Sequence, residues 1–386
     1  MSLFYFLKIF FLIFYVGISA IITYIVYKEE KQYYTPLYVT KTSSKEGEKD
    51  ITINLHDEFE EYRKRDQPVN IFRLFLGVFF FGTIKLFLNI ICALIITYKS
   101  LNRIKAKNSK LNKEDIDYIR NTTKFLTQMF LKISGIFVNK KKLPDDKILK
   151  VYKKYFGPDY KIDYDGKFSC YISNHSCIYD LIFGMAFYGC GFVAKQEVRD
   201  TPIFGRMASA LQSIFVNRNS NNSKNNTLDD IVERQKQFYE GEPVMPFMIY
   251  PEGTTTSGRH ILRFKKGAFY SLLPIKATIL HPNLSDKYHL ACGGSDVGMN
   301  FVRSLSKLYV NAEYIELPII APNDYMYKNF AHLGKEKWEI FAEVSREIIC
   351  ELGDFKKSER GIKDNFRYCS CLEKKTLLDS KTYKIE

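Results

Sequence analysis

Histidine is scarce in this chain, with six among 386 residues. Its eight cysteines stand singly, apart from Cys369 and Cys371. A lone Cys-x-Cys without a second pair makes a poor zinc site, so a zinc-built domain is excluded. Several cysteines fall inside apolar runs, which fits buried or free thiols in a reducing compartment. No stretch carries the glycine fingerprint of a dinucleotide site. Gly293-Gly-Ser-Asp-Val-Gly has the wrong spacing, and no strand leads cleanly into it. No internal repeat is visible, and no nucleic-acid reader motif or basic–aromatic platform accompanies the basic charge.

That charge is considerable: 57 Lys and Arg against 43 Asp and Glu, a formal +14. A basic protein suits an anionic partner, and two long apolar runs favour a membrane surface over nucleic acid. Residues 3–27 are interrupted only by Lys8. The run exceeds both the roughly 20 residues of a bilayer crossing and the ~7–15-residue core of a signal peptide, so residues 1–28 are expected to be a retained anchor. The second run, 71–98, contains Arg73, Lys85, Gly77 and Gly82. It reads either as one tilted transmembrane helix or as a bent segment re-entering one leaflet, because a lysine in mid-run must snorkel or find a partner. Residues 99–113 hold six basic and no acidic residues, whereas 28–70 mix eight basic with ten acidic. The positive-inside bias then places everything after residue 98 in the cytoplasm, and if both runs cross, 29–70 is a lumenal loop.

Residues 99–143 form a basic and then amphipathic segment. Ile116, Ile119, Phe125, Leu126, Met129, Phe130, Ile133 and Ile136 recur at helical spacing, for a helix packed on its own domain or one lying in the membrane interface. From Pro144 to residue 353 the pattern becomes α/β. Apolar strands are expected at 168–172, 191–194, 213–216, 246–250, 275–280 and 312–319, separated by helix-like stretches. Residues 217–227 read as a polar loop, and 354–386 as a lysine-rich tail.

Within this domain, Cys170-Tyr-Ile ends a strand and Ile178 to Tyr188 runs on as an apolar helix, with Ser173, Asn174 and Ser176 supplying turn and capping chemistry. His175 thus sits at a strand-to-helix turn, and Asp180 lies about one helical turn on. A carboxylate there can fix one imidazole nitrogen and leave the other as a base. The spacing alone is not distinctive, since His281 and Asp286 repeat it in a loop. Cys177 lies between His175 and Asp180, but no other cation is nearby in sequence to activate it, which favours a packed apolar role. Two cations, Lys195 and Arg218, close later strands at the positions where α/β folds build their sites, and the fixed guanidinium fork of Arg218 suits a phosphate. A further strand ends at Pro251, and Glu252-Gly253-Thr254 turns into a Thr/Ser/Gly loop leading to Arg259. Amides and hydroxyls in such a loop can hold an anionic oxygen.

The ordered set is much more specific than any part. Asn174-His175-x4-Asp180, Phe215-Val216-Asn217-Arg218, Pro251-Glu252-Gly253-Thr254 and the Leu273-Pro274-Ile275 strand resemble the four blocks of the glycerolipid (PlsC-type) acyltransferases. Val-Ala-Lys-Gln-Glu, Glu-Gly-Thr-Thr-Thr-x-Gly-Arg and Phe-Lys-Lys-Gly-Ala-Phe look most like the lysophosphatidylcholine acyltransferase branch. The resemblance covers roughly residues 115–350, with departures at Ser257, Lys276 and Ala277. It implies a mixed central sheet flanked by helices, behind N-terminal membrane helices. It also implies acyl transfer from acyl-CoA, a co-substrate with no further cofactor, to the glycerol hydroxyl of a lysophospholipid at a bilayer, with the endoplasmic reticulum the expected membrane. His175 would be the base and Asp180 its partner. Asn174, Arg218, Glu252, Gly253, Thr254 and Arg259 would serve the acceptor, and Lys195 the CoA phosphates. A lysophosphatidate or glycerol 3-phosphate acceptor, and a non-catalytic lipid-binding scaffold, are the alternatives.

Overall fold

The structure, a computed structural model, describes residues 3–31, 38–41, 51–62, 70–106, 111–201, 204–216, 221–282, 290–293 and 297–373. Its centre is a seven-stranded mixed sheet. In chain order the strands are β1 (Ile136–Lys141), β2 (Tyr171–Ser173), β3 (Gly191–Lys195), β4 (Ile214–Val216), β5 (Phe247–Ile249), β6 (Ile275–Pro282) and β7 (Val310–Ile320). Across the sheet they run β1-β7-β6-β2-β5-β3-β4. Neighbours are parallel except β6 and β7, which join antiparallel.

Both faces of this sheet are covered, so its strands read as near-continuous apolar runs. Ile172, Phe247, Ile249, Ile275 and Ile279 face one core, shared with helices α4 (Asp145–Phe156) and α8 (Lys337–Gly353). Tyr171, Met248, Leu280 and Tyr314 face the other, shared with α3 (Lys113–Ser134) and α5 (Tyr179–Tyr188). The 115–138 periodicity resolves here. A capping box between Asn112 and Asp115 starts α3, and Gly135 at φ +73° stops it. The chain turns directly into β1, so the α/β domain begins well before residue 144. The apolar face of α3, including Ile116, Ile119 and Phe130, is buried.

Two helical stretches have the length and composition to cross a bilayer, residues 8–29 within α1 (Leu3–Lys31) and 71–99. The second is helical from Ile71 through a π-turn at Val78–Gly82 into α2 (Thr83–Ala106). Lys85, the charge in mid-run, turns towards the domain, where its ammonium donates to the carbonyls of Ser134, Lys307 and Leu308 at 3.0, 2.5 and 2.9 Å. The Tyr15 hydroxyl donates to the Phe79 carbonyl, and Ser19 meets Thr83 at 3.2 Å. Val26, towards the end of α1, shares a buried cluster with Leu74 and Val78, so α1 packs back against the start of the second stretch.

The lumenal placement of 29–70 fails for its described residues 54–62. Leu55, Phe59 and Tyr62 share a buried cluster with Leu262 and Tyr368. The Ser257 N–H donates to the Glu61 carbonyl at 2.6 Å. A segment bonded to the α/β domain lies on that domain's side of any bilayer. The 354–386 stretch also departs from expectation. Residues 356–357 pair in parallel with 260–261, and α9 (Ile362–Glu373) packs beside them. Residues 374–386 lie outside the described part.

Lys276, the departure in the fourth block, is held in the sheet. Its ammonium meets Glu316 on β7 at 2.7 Å and donates to the Tyr164 carbonyl at 2.8 Å. Burial pushes the Glu316 carboxyl up, but the Lys276 and Lys140 ammonium groups outweigh it and hold the group below its usual range. A depressed carboxyl stabilises the fold above its unfolded pKa and loses that contribution as pH falls. Glu316→Ala should leave Lys276 half-compensated and lower stability by up to about 3 kcal/mol, whereas Lys276→Met with Glu316→Leu should recover most of the loss. Thermal unfolding of the three proteins checks this.

Candidate active site

At the end of β2, Asn174 continues the sheet with its side chain. Its amide accepts from Leu280 N at 2.8 Å and donates to Leu280 O at 2.9 Å. The next three residues form an irregular buried turn, where every backbone group needs a partner. His175 N–H donates to Glu252 Oε1 (2.8 Å), and Ser176 and Cys177 N–H donate to Asp180 Oδ2 (2.6 and 2.9 Å). The carbonyls of 175, 176 and 177 accept from Thr256 N, Cys292 N and Asp180 N. The turn has no backbone freedom left.

His175 Nδ1 lies 2.8 Å from Asp180 Oδ2. The carboxylate can only accept, so the proton is assigned to Nδ1 and the lone pair to Nε2. The Tyr250 ring stacks on the imidazole at 4.5 Å, and its hydroxyl donates to the Asp180 carbonyl at 2.6 Å. The Asp180 side chain is 1% exposed and that of His175 19%, so the carboxylate is sealed while the imidazole stays reachable. Such an arrangement can act as a base with its orienter. Cys177, by contrast, is buried, and its thiol donates to Asp180 Oδ1 at 3.0 Å. Burial and the Asp180 charge push it well above the usual thiol range, so it remains a thiol and is no nucleophile.

Glu252 is fully buried and takes a structural post rather than a place at the surface of the site. Besides His175 N, it accepts from Leu262 N at 2.9 Å. Burial pushes its carboxyl up to about 8 against the pull of those two N–H groups. Asn174 is likewise committed to backbone, not to a substrate. Gly253 turns the chain at φ +72°, in the left-handed region that favours glycine. Thr254 is partly exposed beside it, Arg259 is exposed, and Lys195 at the end of β3 is exposed with its ammonium 5.9 Å from the Phe366 ring. Arg218 lies outside the described residues, as does Asp286. His281 stacks on Phe355 at 4.6 Å on the α8 side of the sheet. It helps line a cavity of about 600 Å³ with Lys141, Lys147, Glu313 and Asp354. Among the described residues no group of His, Cys, Asp and Glu side chains is placed to hold a metal ion.

Sequence reasoning passed over Tyr250, Thr256 and Asn365. Tyr250 lies in the expected strand that ends at Pro251, directly before the turn. Asn365 had no sequence signal, since it arrives from 111 residues away, donating to Thr254 Oγ1 at 3.0 Å.

In Glu252→Gln one amide nitrogen must face a backbone N–H, donor against donor. The variant should lose about 1–3 kcal/mol of stability. A carboxyl raised in the fold stabilises most below its unfolded pKa, and that contribution declines as pH rises towards the folded value of about 8. The stability gap between wild type and Glu252→Gln should therefore narrow from pH 5 to pH 8. Thermal unfolding of both proteins across that range checks it.

Residues 164–282 match the family model for Acyltransferase. The chain is 31% identical over 154 residues to lysophosphatidylcholine acyltransferase of Drosophila melanogaster, covering 40% of this chain and 28% of that protein. It is 26% identical over 203 residues to lysophospholipid acyltransferase LPEAT1 of Arabidopsis thaliana, covering 52% and 48%. With human lysophosphatidylcholine acyltransferase 1 it shares 27% over 174 residues, covering 45% and 32%. The matched segment spans less than half the length of each of these curated relatives. Residues 164–282, the heart of the α/β core, are thus similar to the Acyltransferase family and to lysophosphatidylcholine and lysophospholipid acyltransferases.

Proposed function

We propose that this chain transfers a fatty acyl group from acyl-CoA to the free glycerol hydroxyl of a lysophospholipid, with lysophosphatidylcholine-like acceptors favoured. The observation that carries this reading is the 2.8 Å bond from His175 Nδ1 to a sealed Asp180. A hydroxyl is a poor nucleophile until a base takes its proton, and Nε2 is the lone pair available for that task. The alcohol oxygen bonds to the thioester carbonyl carbon as its proton passes to Nε2. The tetrahedral intermediate then expels the sulfur, which recovers the proton as the CoA thiol. Asp180 stabilises the imidazolium in between. No acyl-enzyme is needed, and Cys177 is in no state to form one. Thr254, Arg259 and Arg218 are the proposed contacts to the acceptor's phosphate, and Lys195 to CoA.

Acceptor, acyl chain and product are bilayer lipids, and the apolar helices beside the domain suit such substrates. The proposed setting is an endomembrane such as the endoplasmic reticulum, with the α/β domain on the cytoplasmic side, in keeping with the six basic residues of 99–113.

His175→Ala should reduce CoA thiol release by roughly 10²–10⁴-fold with an unchanged unfolding temperature. Asp180→Asn should lose at least about a hundredfold through the wrong tautomer. Thiol release measured with one acyl-CoA and a panel of lysophosphatidylcholine, lysophosphatidylethanolamine, lysophosphatidate and glycerol 3-phosphate tests reaction and acceptor together. A His175→Ala protein with near wild-type turnover overturns the reading.

A further inference from the structure

We propose that Asn365, on the C-terminal helix α9 and outside the matched 164–282 segment, is a positioning residue that aims the Thr254 hydroxyl at the acceptor. This rests on the proposed function, since it deepens the part played there by Thr254.

Asn365 is buried, and its Nδ2 donates to Thr254 Oγ1 at 3.0 Å and towards Thr255 O at 3.3 Å. Its own Oδ1 accepts from the Cys369 thiol at 3.1 Å, and its backbone N–H donates to Gly361 O. The amide is therefore oriented from behind, with nitrogen towards Thr254 and oxygen away. A hydroxyl has one proton and two lone pairs. With Asn365 donating into a lone pair, the Thr254 proton is left to point elsewhere. Thr254 is partly exposed, so that proton can donate to an anionic oxygen such as a phosphate.

The helix that carries Asn365 is itself fixed. Tyr62 O–H donates to Gly361 O at 2.7 Å, and Arg360 meets Glu58 at 3.3 Å while stacking on Phe59 at 4.3 Å. His56 bonds the Tyr368 hydroxyl at 2.9 Å. The 54–62 segment and α9 thus brace each other above the 252–263 loop. Phe366, next to Asn365, brings the same helix against Lys195. The Thr254 turn is completed by chain ends that lie far from it in sequence.

The test uses the full chain in detergent or vesicles and reverses one hydrogen bond. Asn365→Asp offers oxygen where nitrogen stood, so the Thr254 proton turns to the aspartate and away from the substrate, and a negative charge is added beside the phosphate. KM for the lysophospholipid should rise at least tenfold, with kcat within about twofold and KM for acyl-CoA unchanged. Asn365→Ala, which only frees the hydroxyl, should raise the acceptor KM about threefold and serves if the aspartate variant fails to fold. In a Thr254→Val background neither change should raise KM further. If the wild type turns over and both variants keep its acceptor KM, this inference fails and the enzyme reading stands. If kcat falls with KM and the loss persists in Thr254→Val, Asn365 acts through packing alone and the inference also fails. A wild type that acylates no acceptor removes the enzyme reading itself, before Asn365 is reached.

Discussion

One buried carboxylate joins the two halves of the site. Glu252 belongs to the turn after β5, yet its oxygens are taken by His175 N after β2 and by Leu262 N further along its own loop. Without it, the N–H of the residue carrying the imidazole would be buried and unpaired, at about 1–3 kcal/mol. Neighbouring parallel strands β2 and β5 bring their C-terminal ends together, but a strand pair alone does not set the distance between the loops that follow. The carboxylate does, and the returning bond from Thr256 N to His175 O closes the frame from the other side.

Asp180 performs the second, more local task. Its Oδ2 receives one ring N–H and two backbone N–H groups, and its Oδ1 receives the Cys177 thiol. A carboxylate so surrounded cannot swing away from the imidazole. The same contacts hold Cys177 in its protonated state, so the only reachable basic lone pair on this turn is the histidine's. Under the proposed function, this division explains how a site with a cysteine two residues from its base still runs direct transfer between two bound substrates.

Much of this was legible in the sequence because it is local or periodic. The His175–Asp180 interval lies within one helical turn, and six of the seven strands are apolar runs between turn residues. β1 was missed because Ile136-Phe-Val-Asn-Lys-Lys continues the helical spacing of α3, and only Gly135, adopting a left-handed backbone, separates the two. Glu252 and Asn174 were placed at the substrate by the family resemblance alone. Their backbone partners, Leu262, His175 and Leu280, carry no side-chain signature that a sequence could show. The roles of 54–62 and α9 were hidden for the same reason: both are polar stretches, and a polar stretch reads as solvated until its partners are known.

The N-terminal helices turn on contacts that hydropathy cannot show. Length and composition treat 8–29 and 71–99 alike as spans, but α1 also packs on the second stretch, through Val26 with Leu74 and Val78 and through the Tyr15–Phe79 and Ser19–Thr83 contacts. The described 54–62 stretch of the connection lies against the α/β domain, and Lys85 is bonded into that same domain. One side of α2 is therefore protein-facing, while Ile84, Phe87, Leu94 and Ile95 on it stand exposed. Together with the exposed apolar side chains of α1, they form a surface suited to lipid. Under the proposed function lipid covers that surface, and acceptor and product stay in the leaflet that the domain faces, so the transfer requires no passage across the bilayer.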